Sequence, residues 1–162
     1  VLDGQSLLRR HYEVAHRRLA ITREEGFGDV AEQIDALRGA GLAHMYVGEY
    51  ALALPCLDEA ENMAGRLRVV DQIANVVGIR TQSFFRSDQW DGVLAMEKVW
   101  RELEEKYPRR RIGETCFFVA LSAAVYGLRG DHGRVRAYAE ESYNYMVSVS
   151  GDTNQWQRNQ FY

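Results

Sequence analysis

A chain of 162 residues, 46% apolar and 27% charged, can build one good core or an array of stacked units, and its composition is that of a folded rather than a disordered protein. A net charge of −3 excludes a global pull toward nucleic acid or an anionic membrane, and no apolar run is long enough to cross a bilayer. Cys56 and Cys116 lie far apart with no histidine nearby, which excludes a disulfide framework and a zinc signature and fits free, buried thiols in a cytoplasmic protein.

Only two prolines occur, which suits a nearly all-helical chain because proline breaks the helical backbone ladder. The first predicted helix, residues 6–23, is rich in arginine and has Leu7, Leu8, Tyr12, Ala15 and Leu19 on its apolar side. Gly26 and Gly28 end it, and Asp29 is placed to cap the next helix. That helix runs over 30–47, turns at Gly48 and Glu49, and is followed by a helix over 50–67. A second pair occupies 69–86 and 90–106, and Tyr107 before Pro108 closes it. A third pair occupies 113–128 and 132–149, and residues 154–162 begin another helix or a cap. The chain starts at Val1 without a methionine and stops soon after that new segment begins, so a domain excised from a longer protein is expected.

The turns are equivalent. Gly48, Asp88 and Gly130 are spaced 40 and 42 residues apart, and Gly4 lies 44 before Gly48. Two residues beyond each turn come Tyr50, Trp90 and His132, and three further come Ala53, Val93 and Val135. Periods of this size mark helical solenoids, in which each pair buries its core against its neighbours. The expected architecture is all-α, a single domain over 1–162 with units at 1–28, 29–67, 68–108, 109–149 and 150–162.

Leu37, Ala40, Gly41, Gly48, Tyr50, Ala53, Leu57 and Ala60 follow the order of the tetratricopeptide repeat (TPR), which the chain resembles. His44 replaces the usual aromatic, Arg80 and Thr81 replace the small pair in the next unit, and Asp88 replaces its glycine. The long period is similar to extended repeats in kinesin light chains and in bacterial LuxR/MalT-type and cyclase-linked regulators. The resemblance implies a right-handed superhelix of antiparallel helix pairs whose first helices line a concave groove for a peptide or protein, without catalysis. Its groove positions fall on Asp35, Arg38, Leu42, Met45 and Tyr46, then on Asn75, Gly78, Gln82, Phe85 and Arg86, then on Phe117, Ala120, Ala124, Gly127 and Leu128. Arg38 and Arg86 suit an acidic group, while Leu42, Met45, Tyr46 and Phe85 suit apolar pockets.

Other residues carry little chemistry. His11 and His16 are five apart and share no helix face, and His44 sits at an interhelix packing position. Lys106, Arg109, Arg110 and Arg111 form a basic patch, but Glu102, Glu104 and Glu105 beside it argue against direct nucleic-acid binding. No phosphate loop, nucleophile–base pair or metal motif occurs, so no cofactor and no enzyme activity are expected. The partner expected is a protein or peptide, supplied in trans or by another domain of the same chain. A small-ligand sensor with a pocket around Tyr46, Gln82, Phe85 and Arg86 is one alternative. An oligomerisation module, self-associating through exposed terminal residues such as Trp156, is the other.

Overall fold

The computed structural model describes residues 4–24, 27–107 and 115–150, with backbone alone at 4, 5, 115–117 and 145–150. Seven helices and no strands occur among them: α1 (Gly4–Thr22), α2 (Val30–Tyr46), α3 (Tyr50–Leu67), α4 (Val70–Arg86), α5 (Trp90–Lys106), α6 (Thr115–Leu128) and α7 (His132–Ser150). None is both long and apolar enough to cross a membrane.

The ends of these helices follow from local chemistry. Asp29 Oδ1 accepts the backbone N–H of Glu32 at 3.1 Å and caps α2, and Asp131 Oδ1 does the same for Arg134 at 3.0 Å in α7. Gly48, Asp88 and Gly130 have φ of 83°, 58° and 79°, in the left-handed region. At each, two backbone bonds reach back into the helix. Gly48 N–H donates to Met45 O and Glu49 N–H to His44 O, and the same pair recurs from Asp88 and Gln89 and from Gly130 and Asp131. This is the Schellman motif, which satisfies the last carbonyls of a helix. Arg68, at φ 56°, closes α3 in the same way. Glycine takes this backbone conformation freely, whereas Asp88 and Arg68 hold it at a steric cost.

The chain divides into two compact units between Ile112 and Gly113. In the first, α2 packs against α1, α3 and α4, and α4 packs against α3 and α5, while the backbones of α3 and α5 stay apart. The two first helices of successive pairs therefore lie side by side. Its core joins Leu19 of α1, Ile34, Leu37, Ala40 and Met45 of α2, Ala53, Leu57, Ala60 and Ala64 of α3, and Val76 and Ile79 of α4. Tyr50 and Leu42 are half-buried against it.

Close approach is achieved differently in the two pairs. In α2–α3, a Cβ on Gly41 would lie 2.6 Å from Leu57 Cδ2, so the helices meet at a glycine of the first helix. In α4–α5, Thr81 stands at the place of Gly41, and the glycine lies on the second helix: a Cβ on Gly92 would lie 2.7 Å from the Phe84 ring. Thr81 is fully buried because its hydroxyl donates to Val77 O at 2.8 Å, and Ser83 is buried by the same device to Ile79 O at 2.9 Å. Trp100 of α5 is buried, and Trp90 is half-buried.

In the second unit α6 packs on α7. Phe118, Val119, Ser122 and Val125 are buried, while Leu128 and Tyr143 are exposed. The guanidinium of Arg134 lies 4.6 Å from the Tyr126 ring centroid, and the Tyr126 and Tyr138 rings are 5.6 Å apart.

Candidate functional site

Three systems of polar groups in the first unit bear on a candidate site. The first ties α1 to α2. Arg18 Nε and Nη2 donate to the two carboxylate oxygens of Glu32 at 2.6 and 2.7 Å, and Nη2 also reaches Asp35 Oδ2 at 2.7 Å. Arg38 grips the same Asp35 from one turn further along, at 2.5 Å. Burial works to raise the Asp35 carboxyl, but Arg38 and Arg18 together hold it below the usual range. Glu32 is held low by Arg18, and Arg18 is raised by its bond to Glu32. Asp35 and Arg38, two of the expected groove positions, are thus engaged with each other, and the Nε and Nη2 of Arg38 already hold a carboxylate.

The second system is a cluster at the end of the unit where α1 begins and α2 stops. Glu49 Oε2 accepts from the Tyr12 hydroxyl at 3.0 Å and from His44 Nδ1 at 2.8 Å. Because the carboxylate can only accept, His44 Nδ1 carries the proton of that bond. The His16 ring lies 4.5 Å from His44 and 4.2 Å from Tyr12, centroid to centroid, and its Nε2 is buried with no hydrogen-bond partner. The five-residue spacing of His11 and His16 does separate them: His16 turns inward, while His11 is exposed, 6.1 Å from Tyr46. Sequence reasoning missed this cluster because its members are far apart in the chain; the only local signal was histidine at an aromatic packing position. Among the described residues, no three His, Cys, Asp or Glu side chains are placed to hold a metal ion.

Burial, and then His44 beside it, push the His16 imidazole below the usual 6.5, against an opposing pull from Glu49. Bonds from His44 and Tyr12 push the Glu49 carboxyl below 4.5, and burial with Glu49 raises the Tyr12 phenol. The linkage signs follow. Between the folded and unfolded values of His16 the unfolded chain binds more protons, so stability falls as pH drops through about 6.5. The contribution of Glu49 is present above 4.5 and is lost only as pH falls toward its lower folded value. Thermal melts taken between pH 7 and about 5 should therefore slope downward toward acid. His16→Phe, which fits the same ring-packed site, should flatten that slope and leave the more acidic loss in place. An unchanged slope in the variant would remove His16 as its source.

The third system lies on α4. Asn75 and Gln82 are half-exposed and Arg86 is exposed. They follow one side of the helix at spacings of 7 and 4. Among the described residues none of the three makes a side-chain hydrogen bond or an ion pair. The Arg86 guanidinium stands 6.0 Å from the ring centroid of Tyr46, which is 44% exposed at the end of α2. Phe85 is half-buried beside it. Two sequence expectations are corrected here: Met45 is fully buried and belongs to the core, and Gly78 is buried too. Leu42 faces the core at its edge.

The remaining positions do not join this face. Lys106 is exposed with Nζ 5.5 Å from the Tyr107 ring centroid, while Arg109, Arg110 and Arg111 lie outside the described residues, as do the Phe117 side chain and Trp156. In the second unit Ala120 and Leu128 are exposed, and Ala124 and Gly127 are half-buried. A cleft of about 220 Å³ sits elsewhere in the first unit, lined by Leu19, Thr22, Arg23, Glu24, Gln33, Leu37, Glu59 and Met63. It includes none of Tyr46, Gln82, Phe85 and Arg86, and it is smaller than the ~300 Å³ at which pockets for drug-sized ligands begin. Cys56 is a half-buried free thiol that burial pushes up, which makes it a poor nucleophile. Set against protein-family models, curated proteins and solved structures, the chain matches none of them.

Proposed function

We propose that this chain is a noncatalytic recognition domain, a TPR-like right-handed superhelix of helix pairs that binds an extended acidic segment of a protein along its α2–α4 face. The observation that carries the proposal is the row of free polar groups on α4. Asn75 and Gln82 are two helical turns apart, about 10.5 Å at 1.5 Å per residue, which matches about three residues of extended chain. Their amides can pair with a peptide backbone, Arg86 can take a carboxylate in a two-pronged grip, and Tyr46 and Phe85 offer apolar contact beside it. The side-by-side packing of α2 and α4 and the recurrence of one turn geometry support the repeat architecture. A free thiol at Cys56 suits a reducing, cytoplasmic setting.

Selection from a random peptide library displayed against the chain tests this. The enriched peptides should carry Asp or Glu at a fixed position, and Arg86→Glu should shift that position to Lys or Arg. A consensus that ignores the charge at residue 86, or no enrichment at all, would sink the proposal.

A further inference from the structure

Five arginines lie in or just after α1, and their partners divide them. Arg9 pairs with Glu13 at 3.1 Å, Arg18 with Glu32 and Asp35, and Arg23 with Glu59 at 2.8 Å. Arg10 and Arg17 are exposed and, among the described residues, make no ion pair. These two share one side of the helix with Leu7, Val14 and Ile21, in the order Leu7, Arg10, Val14, Arg17, Ile21, at spacings of 3, 4, 3 and 4. That alternation is the seam by which one helix packs along another. The three aliphatic side chains are 53%, 59% and 46% exposed, although α1 buries Ala15, Leu19 and Thr22 on the side toward α2. Among the described residues α1 runs along α2, and only its last turn comes near α3, where Arg23 reaches Glu59.

We propose that this side of α1 docks an acidic amphipathic helix of a partner protein. Aliphatic residues of the partner meet Leu7, Val14 and Ile21, and its carboxylates meet Arg10 and Arg17. The unpaired charges select the occupant. A parallel second copy of α1 would set Arg10 on Arg10 and Arg17 on Arg17. An antiparallel copy would press each arginine on an aliphatic residue with no counter-charge. Both leave the cations uncompensated. A bilayer is also a poor fit: Leu8, 43% exposed, stands on the side of Ala15 that packs on α2, and the free row of Leu7, Val14 and Ile21 is a single residue wide, too narrow to lie buried in lipid. This surface is separate from the α2–α4 face and does not depend on it.

The test uses two labelled synthetic peptides of three heptads, each with Ile at the first position, one with Glu and one with Lys at the fourth. Fluorescence anisotropy should show the Glu peptide binding the chain about tenfold more tightly than the Lys peptide. Arg10→Glu with Arg17→Glu should reverse that preference. Binding gained by the Lys peptide cannot come from an unfolded variant. Arg86→Glu, on the other face, should change neither affinity. Equal binding of the two peptides, or a preference that survives the double reversal, would overturn the proposal. So would binding of neither peptide together with Arg10- and Arg17-dependent binding to phosphatidylserine vesicles, which would assign the surface to lipid.

Discussion

Gly41→Ala is expected to destabilise the first unit by about 1–2 kcal/mol, although alanine is the better helix former. The added methyl would lie 2.6 and 2.7 Å from Leu57 Cδ2 and Cγ, and Leu57 is fully buried, so it has no free space to retreat into. Overpacking of this kind costs roughly 1–3 kcal/mol, offset by the roughly 0.5–1 kcal/mol that alanine gains over glycine inside a helix. Leu57→Ala alone should cost about 2–5 kcal/mol through lost burial and the cavity it leaves. The two changes interact. In the Leu57→Ala background the new methyl enters the vacated space, and Gly41→Ala should become neutral or stabilising. Urea denaturation of the four chains gives the cycle directly. The same penalty for Gly41→Ala in both backgrounds would show that Leu57 is not what the methyl meets.

Arg80 should give the second large effect. Its guanidinium holds two carboxylates of α3, Asp58 at 3.0 Å and Glu61 at closer range, and lies 6.0 Å from the Phe84 ring centroid. The Arg80 side chain is 19% exposed, whereas Asp58 is 53% exposed and Glu61 28%. An exposed ion pair is worth about 0–1 kcal/mol, and breaking a buried one costs about 3–5 kcal/mol. Arg80→Met, in this intermediate setting, should cost about 2 kcal/mol because Asp58 and Glu61 are left facing each other three residues apart on one helix. Adding Asp58→Asn and Glu61→Gln should recover most of that loss, and salt should narrow the gap between Arg80→Met and the original chain. If the triple variant is no more stable than Arg80→Met, packing against Phe84 rather than charge accounts for the role of Arg80.

Helix positions were legible in the sequence because they rest on local rules. The breaks at Gly48 and Gly130, the Asp29 cap and the Tyr107–Pro108 stop are each written within a few residues, and α3 and α5 start and end where the pattern places them. Asp88 was legible through its spacing rather than its type, since aspartate takes the left-handed region at a cost that glycine does not bear. The site was less legible. Spacing places Arg38 and Arg86 on the same side of the first helix of their pairs, but it does not show that Asp35 holds Arg38 while Arg86, among the described residues, makes no ion pair and stands only by the Tyr46 ring. Met45 and Tyr46 are neighbours of similar apolar character, and only packing sorts them into core and surface. The cluster of Tyr12, His16, His44 and Glu49 depends on α1 lying antiparallel to α2, which no local pattern encodes. Thr81 and Gly92 make the same point: the small residue that lets two helices meet moved from one helix to the other, and a position-by-position comparison sees only a lost glycine.

The packing order of the first unit has a kinetic consequence. Among the described residues, close backbone packing in this unit joins helices that follow one another in the chain, with the one addition of α2 on α4. Short separations between contacting segments mean little loop-closure entropy must be lost before native contacts begin to form, which places such a chain among fast folders. α2, α3 and α4, each packed against at least two other helices, are where assembly most readily begins, and α1 and α5 each add to them through one helix. The helices with fewest packing partners in this unit are therefore the outer two, and a partner seated on α1 would hold that helix in place simply by being there.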